Sequence, residues 1–459
     1  MTAIITSKFR VLNAENFKED VSDSETSVYV GIGKSDAWSL TTSDTTDTIP
    51  FLPKDAIDDV GEAYQNLIGL KRITASEISH VIPRYTWTAG ASYVAWDSTD
   101  PDIYDKPFYV ITSEFKVYKC IRAGGASSTI QPVQTLTAPQ SESDGYIWKY
   151  MYTLSVADAE KFLTISYMPV KTVSLDFASD SEAEGALSEA DYAQYLNQKN
   201  SRDSANVGGI ERVVVTAGGT GYTTAPTVTI TGDGTGAAAT AVISNGVVTA
   251  VNITNKGTNY TVADITFSGG GGSDAGARAV IAPLGGHGVD PVRELGAFYT
   301  AINTQLNGTE GGDLTVGNDF RQVCLIKNPY NFGTTTIATA TTLKATKSLD
   351  FTAATTVTDF QVDELVVGQT SGAQAYITEI NGATGLVYIH QNSKTGYANF
   401  EASEQVLGQS SNTTGQLESV FLGNPEVQPG SGQMIFLENR DPINRTNTQI
   451  EDIKIIIEF

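Results

Sequence analysis

Three residue types that build active sites are scarce in this chain of 459 residues: it has 2 cysteines, 3 histidines and 4 tryptophans. Two cysteines rule out a disulfide framework as the organising device. Cys120 and Cys324 each lie in an apolar, β-branched neighbourhood, where a free thiol packs as a small hydrophobe, so buried free thiols are expected rather than a bridge. Positive charge is also short, with 29 Lys and Arg against 52 Asp and Glu and a formal charge of −23. Phosphate backbones and anionic lipid are repelled by such a surface. No basic run is denser than Lys71-Arg72, so neither nucleic acid nor membrane is an expected partner. No stretch approaches the roughly 20 apolar residues needed to cross a bilayer, and the N-terminus Met1-Thr2-Ala3-Ile4-Ile5 lacks the charged and apolar regions of a secretory signal.

Glycine, threonine and serine are plentiful, charged residues make up only 18%, and 43 residues are glycine, the balance of a β-rich chain with many turns. The length exceeds what one core usually holds, so two or three packed units are expected. Strands are expected at Val28–Ile32, Phe108–Ile111, Phe115–Ile121, Gly385–His390 and Ile453–Phe459. Ile57, Val60, Tyr64, Leu67 and Ile68 recur at helical spacing and predict an amphipathic helix from Lys54, after Pro53, to about Gly69. A second short helix is expected over Ala186–Leu196 within an acidic, Ala-rich connector. After the turn at Asp144-Gly145, Tyr146, Trp148, Tyr150 and Tyr152 fall on one face of a strand and read as core packing.

Two segments repeat internally. Gly219 and Tyr222 recur 38 positions on as Gly257 and Tyr260, and Thr227-Val228-Thr229-Ile230-Thr231 alternates within the first copy. Phe360, Glu364, Val366, Gly368, Gln369 and Ser371 recur 40 positions on as Phe400, Glu404, Val406, Gly408, Gln409 and Ser411. Both read as tandem strand-turn-strand units, each copy able to bury one face against the other.

Material for catalysis is thin. His80, His287 and His390 lie on separate segments, without a partner at metal-ligand spacing. His287, flanked by Gly286 and Gly288, is the most suggestive, yet a tight packed loop explains it better than a base with no nucleophile elbow. His80 reads as a surface or core-edge residue. Ser268-Gly269-Gly270-Gly271-Gly272-Ser273 lacks the lysine and helix of a phosphate loop. Asp58 and Asp59, adjacent on a helix, do not face each other. No catalytic, cofactor-binding or metal-ligating residue is therefore expected, and no cofactor.

Six collinear blocks remain outside the repeats: Ala3–Arg10; Val81-Ile82-Pro83-Arg84 with Trp87; Val117–Cys120; Asp144–Tyr150; Phe320–Val323 with Asn328-Pro329; and Met434–Arg440 with Pro442-Ile443. In order and spacing they resemble the gene-eight baseplate wedge family of T-even-type contractile-tailed phages. The resemblance covers about the first 175 residues, the last 35 and the stretch around Phe320–Pro329. It implies a mainly β fold, a β-sandwich core with helix-bearing loops, and a homodimer contacting other wedge subunits of a virion tail baseplate. That family offers no catalytic residues to carry over.

The two duplicated β modules have no counterpart in that pattern. The expected organisation is core at 1–207, a Gly/Thr-rich module at 208–285, core at 286–343, a second module at 344–421, and core strands at 422–459. Synthesis in the host cytoplasm follows, with Gly-rich junctions near Gly208 and Gly285 letting the modules reorient. The alternatives are a host-surface binding module displayed on the tail, capturing glycan or protein through the inserts, and a polysaccharide depolymerase.

Overall fold

The computed structural model describes residues 4–39, 41–42 and 46–459; Ala3, at the head of the first family-like block, lies outside the described residues. The chain is mainly β, in several antiparallel sheets, and divides into two compact units. One holds the stretch up to Glu15, Ser79–Ala301 and Ile456–Phe459; the other holds Asn16–Ile78 and Ile302–Ile455.

In the first unit, Tyr109–Ile111, Lys116–Arg122, Ile147–Thr153 and Gln140–Ser141 form a four-stranded sheet. The aromatic stripe predicted here splits in two. Tyr146 and Trp148 stack with ring centroids 5.6 Å apart and pack with Tyr93, Tyr118 and Cys120. A break in register pairs Tyr118 with Tyr150 but Val117 with Tyr152, so Met151 and Tyr152 both turn into a different apolar cluster. A bulge adds one residue and shifts the alternation, which periodicity in a single strand does not reveal.

Residues 210–281 form a six-stranded antiparallel sheet. Its central strands Thr227–Gly232 and Ala263–Ser268 pair with Ile230 opposite Ile265 and Thr229 opposite Thr266. Gly219, at φ 66°, leaves no room for a Cβ beside Ser273 and Ala275, and Gly257, at φ 64°, leaves none beside Thr235 and Ala237. Tyr222 and Tyr260 lie buried beneath these turns, 6% and 4% exposed. A side chain on either glycine would strike backbone and meet left-handed strain together.

In the second unit, a five-stranded sheet runs in the order Thr342–Lys344, Leu67–Arg72, Val28–Gly33, Asp319–Lys327, Gln433–Asn444. The helix predicted to continue to about Gly69 covers only Ile57–Asn66, and Leu67 and Ile68 belong to the strand that follows. Apolar residues at Leu67 and Ile68 fit either element. The strand prevails because Leu67 pairs with Gly33 and Gly69 with Ile32, and Gly69 lies so close to Leu314 and Asp313 that only a glycine fits.

Residues 347–423 form a closed six-stranded barrel. At its centre Val366 faces Gly408, Val367 faces Leu407 and Gly368 faces Val406. The buried carboxylate of Glu404 accepts hydrogen bonds from the N–H groups of Thr370 and Ser371 and from the Ser371 hydroxyl. Glu364 accepts from Ser410 N–H, Ser411 N–H and the Ser411 hydroxyl. Each half of the barrel thus ties down the other's turn. Burial pushes the Glu404 carboxyl up, but hydrogen bonds from Ser371, the Glu401 N–H and the Thr370 N–H together hold it below its ordinary value. Glu364→Ala and Glu404→Ala are each expected to cost the barrel about 2–3 kcal/mol, the worth of a charge-assisted bond plus the stranded donors. Hydrogen exchange of Leu365–Gly368 and Gln405–Gly408 checks it; the two losses should match, and unequal ones would show that the clamps are not equivalent.

Other strands agree with expectation: Val28–Gly33, Tyr109–Ile111, Lys116–Arg122, Leu386–His390 and Ile450–Glu458. The acidic connector folds as two helices, Asp180–Ala186 and Glu189–Asp203. An unpredicted helix, Ser7–Ser22, buries Val11, Ala14, Phe17 and Val21. Both cysteines are free and buried, and burial pushes each thiol up to about 12. The thiolate is the reactive species, so neither is expected to react with an aromatic disulfide reagent at pH 8 until the chain is unfolded; rapid labelling of the native protein would contradict this.

Candidate functional site

Two groups of buried charged side chains stand out, one in each unit. In the first, Lys119 is fully buried on the strand Lys116–Arg122 and its Nζ lies 2.9 Å from Glu294 Oε2 and 4.5 Å from the Trp96 ring centre. Glu294 sits on the short helix Pro291–Glu294, where its other oxygen accepts from the N–H groups of Gly288, Val289 and Asp290 at 2.7, 3.0 and 3.2 Å. The carboxylate therefore holds both the lysine and the His287 loop.

His287 lies edge-on to Trp96, ring centres 5.2 Å apart, with Glu211 and Glu294 oxygens 3.9 and 4.0 Å from its nitrogens. Among the described residues neither ring nitrogen has a hydrogen-bond partner. Burial, then the charges of Lys119, Lys256 and Lys149, hold its pKa well below the usual imidazole value. Its glycines are there for close approach: a Cβ on Gly288 would come within 2.6 Å of Lys149 Cε, and one on Gly286 would strike Ala205. Lys149 donates to Ser201 Oγ at 3.0 Å, and burial brings its pKa down to about 8. Burial also draws Lys119 below its ordinary value, with Glu294 opposing. His287 is thus buried against Trp96 in a loop tied down by Glu294.

In the second unit, Asp36 is the hub. Its carboxylate receives Lys34 Nζ at 2.6 Å, Lys394 Nζ at 3.1 Å and Asn392 Nδ2 at 3.0 Å, with His390 Nε2 at 3.3 Å. Asn392 also donates to Asn66, which donates to Gln322, which donates to Asn439. Burial alone would raise the Asp36 pKa, but His390 and Lys34 hold it far below the carboxylate range. Ser35 Oγ lies 3.5 Å from His390 Nδ1, so a serine, a histidine and an aspartate adjoin. Ser35 is 3% exposed, so this group lies inside the fold, with the hydroxyl at the outer limit of hydrogen-bond length from the imidazole. The cavity beside His390, lined by Tyr64, Gln391, Tyr397 and Gln428, holds about 80 Å³, small against the roughly 300–1,000 Å³ of ligand pockets.

The residues singled out from sequence are not brought together. His80 is buried on the strand Ile78–Pro83. Asp58 and Asp59 lie in the first turn of Ile57–Asn66, where Asp59 accepts from Lys54 N–H at 2.8 Å. Ser268 ends the strand Ala263–Ser268, and Gly269–Gly272 turn into another strand, Ser273–Ile281, not into a helix. Among the described residues no three His, Cys, Asp or Glu side chains are grouped to hold a metal ion, and no helix is long and apolar enough to cross a membrane. Sequence reasoning missed Lys119, Lys149 and Asp36; apart from Lys34, two positions from Asp36, their partners are distant in the chain.

With the sheets and buried clusters in place, residues 3–126 of the chain match the family model described as Bacteriophage T4, Gp8. The chain is 21% identical over 190 residues to the baseplate wedge protein gp8 of Enterobacteria phage T4, over 33% of this chain and 55% of that relative. It thus spans about half the length of the curated relative it matches. The resemblance to the gene-eight family stands on these two matches. Three blocks read from sequence, Ala3–Arg10, Val81–Trp87 and Val117–Cys120, fall inside the matched 3–126 stretch.

Proposed function

We propose that the chain is a non-enzymatic structural subunit of a phage tail baseplate wedge, located in the virion and made in the host cytoplasm. It acts as a homodimer among other wedge subunits, in baseplate assembly and in the structural change on host attachment. The match of residues 3–126 carries the reading. Two family-like blocks beyond that stretch support it: Phe320 pairs with Ile443, Gln322 with Asn439 and Val323 with Glu438, on neighbouring strands. In this reading, 1–207, 286–343 and 422–459 make a β-sandwich core that displays modules 208–285 and 344–421.

The host-binding alternative has less support. Tyr222 and Tyr260, the tyrosines of the first module's turns, are buried and cannot stack on a sugar. At the first junction Gly208 lies against the Tyr260 backbone, which counts against free reorientation there; at Gly285 a Cβ would meet Val289 only at 3.4 Å, an ordinary contact.

Light scattering on the purified chain, alone and mixed with the neighbouring wedge subunits of its phage, tests the reading. A mass of twice 48.8 kDa that shifts to a discrete larger complex is the expected result. A persistent monomer, or a trimer that ignores those subunits, would overturn it.

A further inference from the structure

In the second unit, the segment from Thr46 to Ile57 holds its backbone in place while turning large apolar side chains outward. Ile49, Leu52 and Ile57 are 88%, 86% and 92% exposed, and Phe51 is 55% exposed. A flexible tail would show the same exposure without the anchors found here. Arg321, 5% exposed, grips the Asp47 carboxylate with Nε at 2.8 Å and Nη2 at 2.7 Å. Trp38 N–H donates to Asp47 at 3.0 Å, and the Thr48 hydroxyl donates to the Trp38 carbonyl. Asn439 donates to the Phe51 carbonyl at 2.9 Å, and the Phe51 ring meets Trp38 edge-on. Pro50 and Pro53 fix φ at two further points. The conformational cost of presenting this ridge is met within the fold, the condition under which contact area converts into affinity. Several exposed large apolar side chains on one anchored segment mark an interaction surface.

Charge selects the occupant. Along the same stretch of chain stand Asp55, Asp58, Asp59 and Glu62, against Lys54, and the neighbouring Arg440 is paired with Glu438. A second copy would bring the same carboxylates onto a chain already at −23, and anionic lipid and nucleic acid are repelled in the same way. We propose that the ridge from Ile49 to Ile57 docks into an apolar groove rimmed by lysine or arginine on a different protein subunit. This rests on the baseplate reading above and adds to it the surface and the chemistry of the neighbour.

The test titrates the full chain against the purified neighbouring wedge subunits of its phage, following complex formation by light scattering at low and high salt. Ile49→Ser with Leu52→Ser should weaken the complex at least tenfold while leaving the chain's own dimer and melting temperature unchanged. Asp55→Lys with Asp58→Lys should weaken it as much and flatten its salt dependence; because both carboxylates are exposed, this variant also guards against a folding artefact in the first. If the wild type joins the complex and both variants join it equally well, the docking inference fails and the baseplate reading stands. Variants that lose the dimer instead would show a second copy on the ridge and overturn the inference. A wild type that joins no complex overturns both.

Discussion

Asp36→Asn is expected to lower the stability of the second unit by about 3–5 kcal/mol, the cost of breaking a buried ion pair by removing one partner. The Asp36 side chain is 1% exposed, and the Lys34 and Lys394 ammonium groups that point at it are on side chains 7% and 5% exposed. Without the negative charge, two cations face each other in a site with little water. The asparagine keeps the shape and can still accept from Asn392, so a loss of this size would come from charge rather than from a cavity. The same contacts set an acid limit. Because the folded state holds the Asp36 pKa below its unfolded value of 3.8, the stabilisation is full above that value and is lost as the pH falls below it. Urea unfolding followed by hydrogen exchange in Leu386–His390 measures the change; a loss under 1 kcal/mol would mean the lysines find other partners.

Glu294→Gln is expected to cost the first unit a similar amount, about 3–5 kcal/mol, because Lys119, fully buried, loses the carboxylate it is paired with and keeps only the charge of Glu211. Replacing the pair together, Lys119→Met with Glu294→Gln, should recover most of that loss, since a buried pair and an apolar substitute are often close in stability. Failure of the double variant to recover would place the cost in the three backbone donors of the His287 loop instead. His287 adds a pH signature. The folded state keeps the imidazole neutral, whereas the unfolded chain takes up a proton near pH 6.5. Stability should therefore fall as the pH drops below about 6.5, by about 1.4 kcal/mol per unit, with no contribution from this group above it. His287→Phe should flatten that slope between pH 5 and 6.5, and an unchanged slope would assign it to another group.

The mainly β class was legible because β-branched runs such as Val28–Ile32 and Lys116–Cys120 carry their own signal. So was burial of the thiols, through their neighbours. The helix Ser7–Ser22 was missed although Val11, Ala14, Phe17 and Val21 follow its face; polar residues between them dilute the pattern. The overrun through Leu67 and Ile68 came from residues that suit a helix face and a buried strand alike, a choice settled by Val28–Gly33 across the sheet. The buried clusters were illegible for a different reason. Lys119 meets Glu294 across 175 positions and His390 meets Asp36 across 354, and no local spacing encodes such a meeting. Glycines around His287 did show, as a need for close approach.

The order of the chain along its two units bears on how the protein is made. The barrel of residues 347–423 is one continuous segment and can close as soon as it leaves the ribosome. The first unit cannot do the same: Arg10 on its opening helix stacks on Phe298 and bonds to Glu458 and to the Phe459 carbonyl. Contacts of such long separation form late, because the loop between them must first be closed. The barrel, built from local pairings, is therefore expected to form before Arg10 meets Glu458 and Phe459, leaving the apolar face of Val11 and Ala14 exposed for longer.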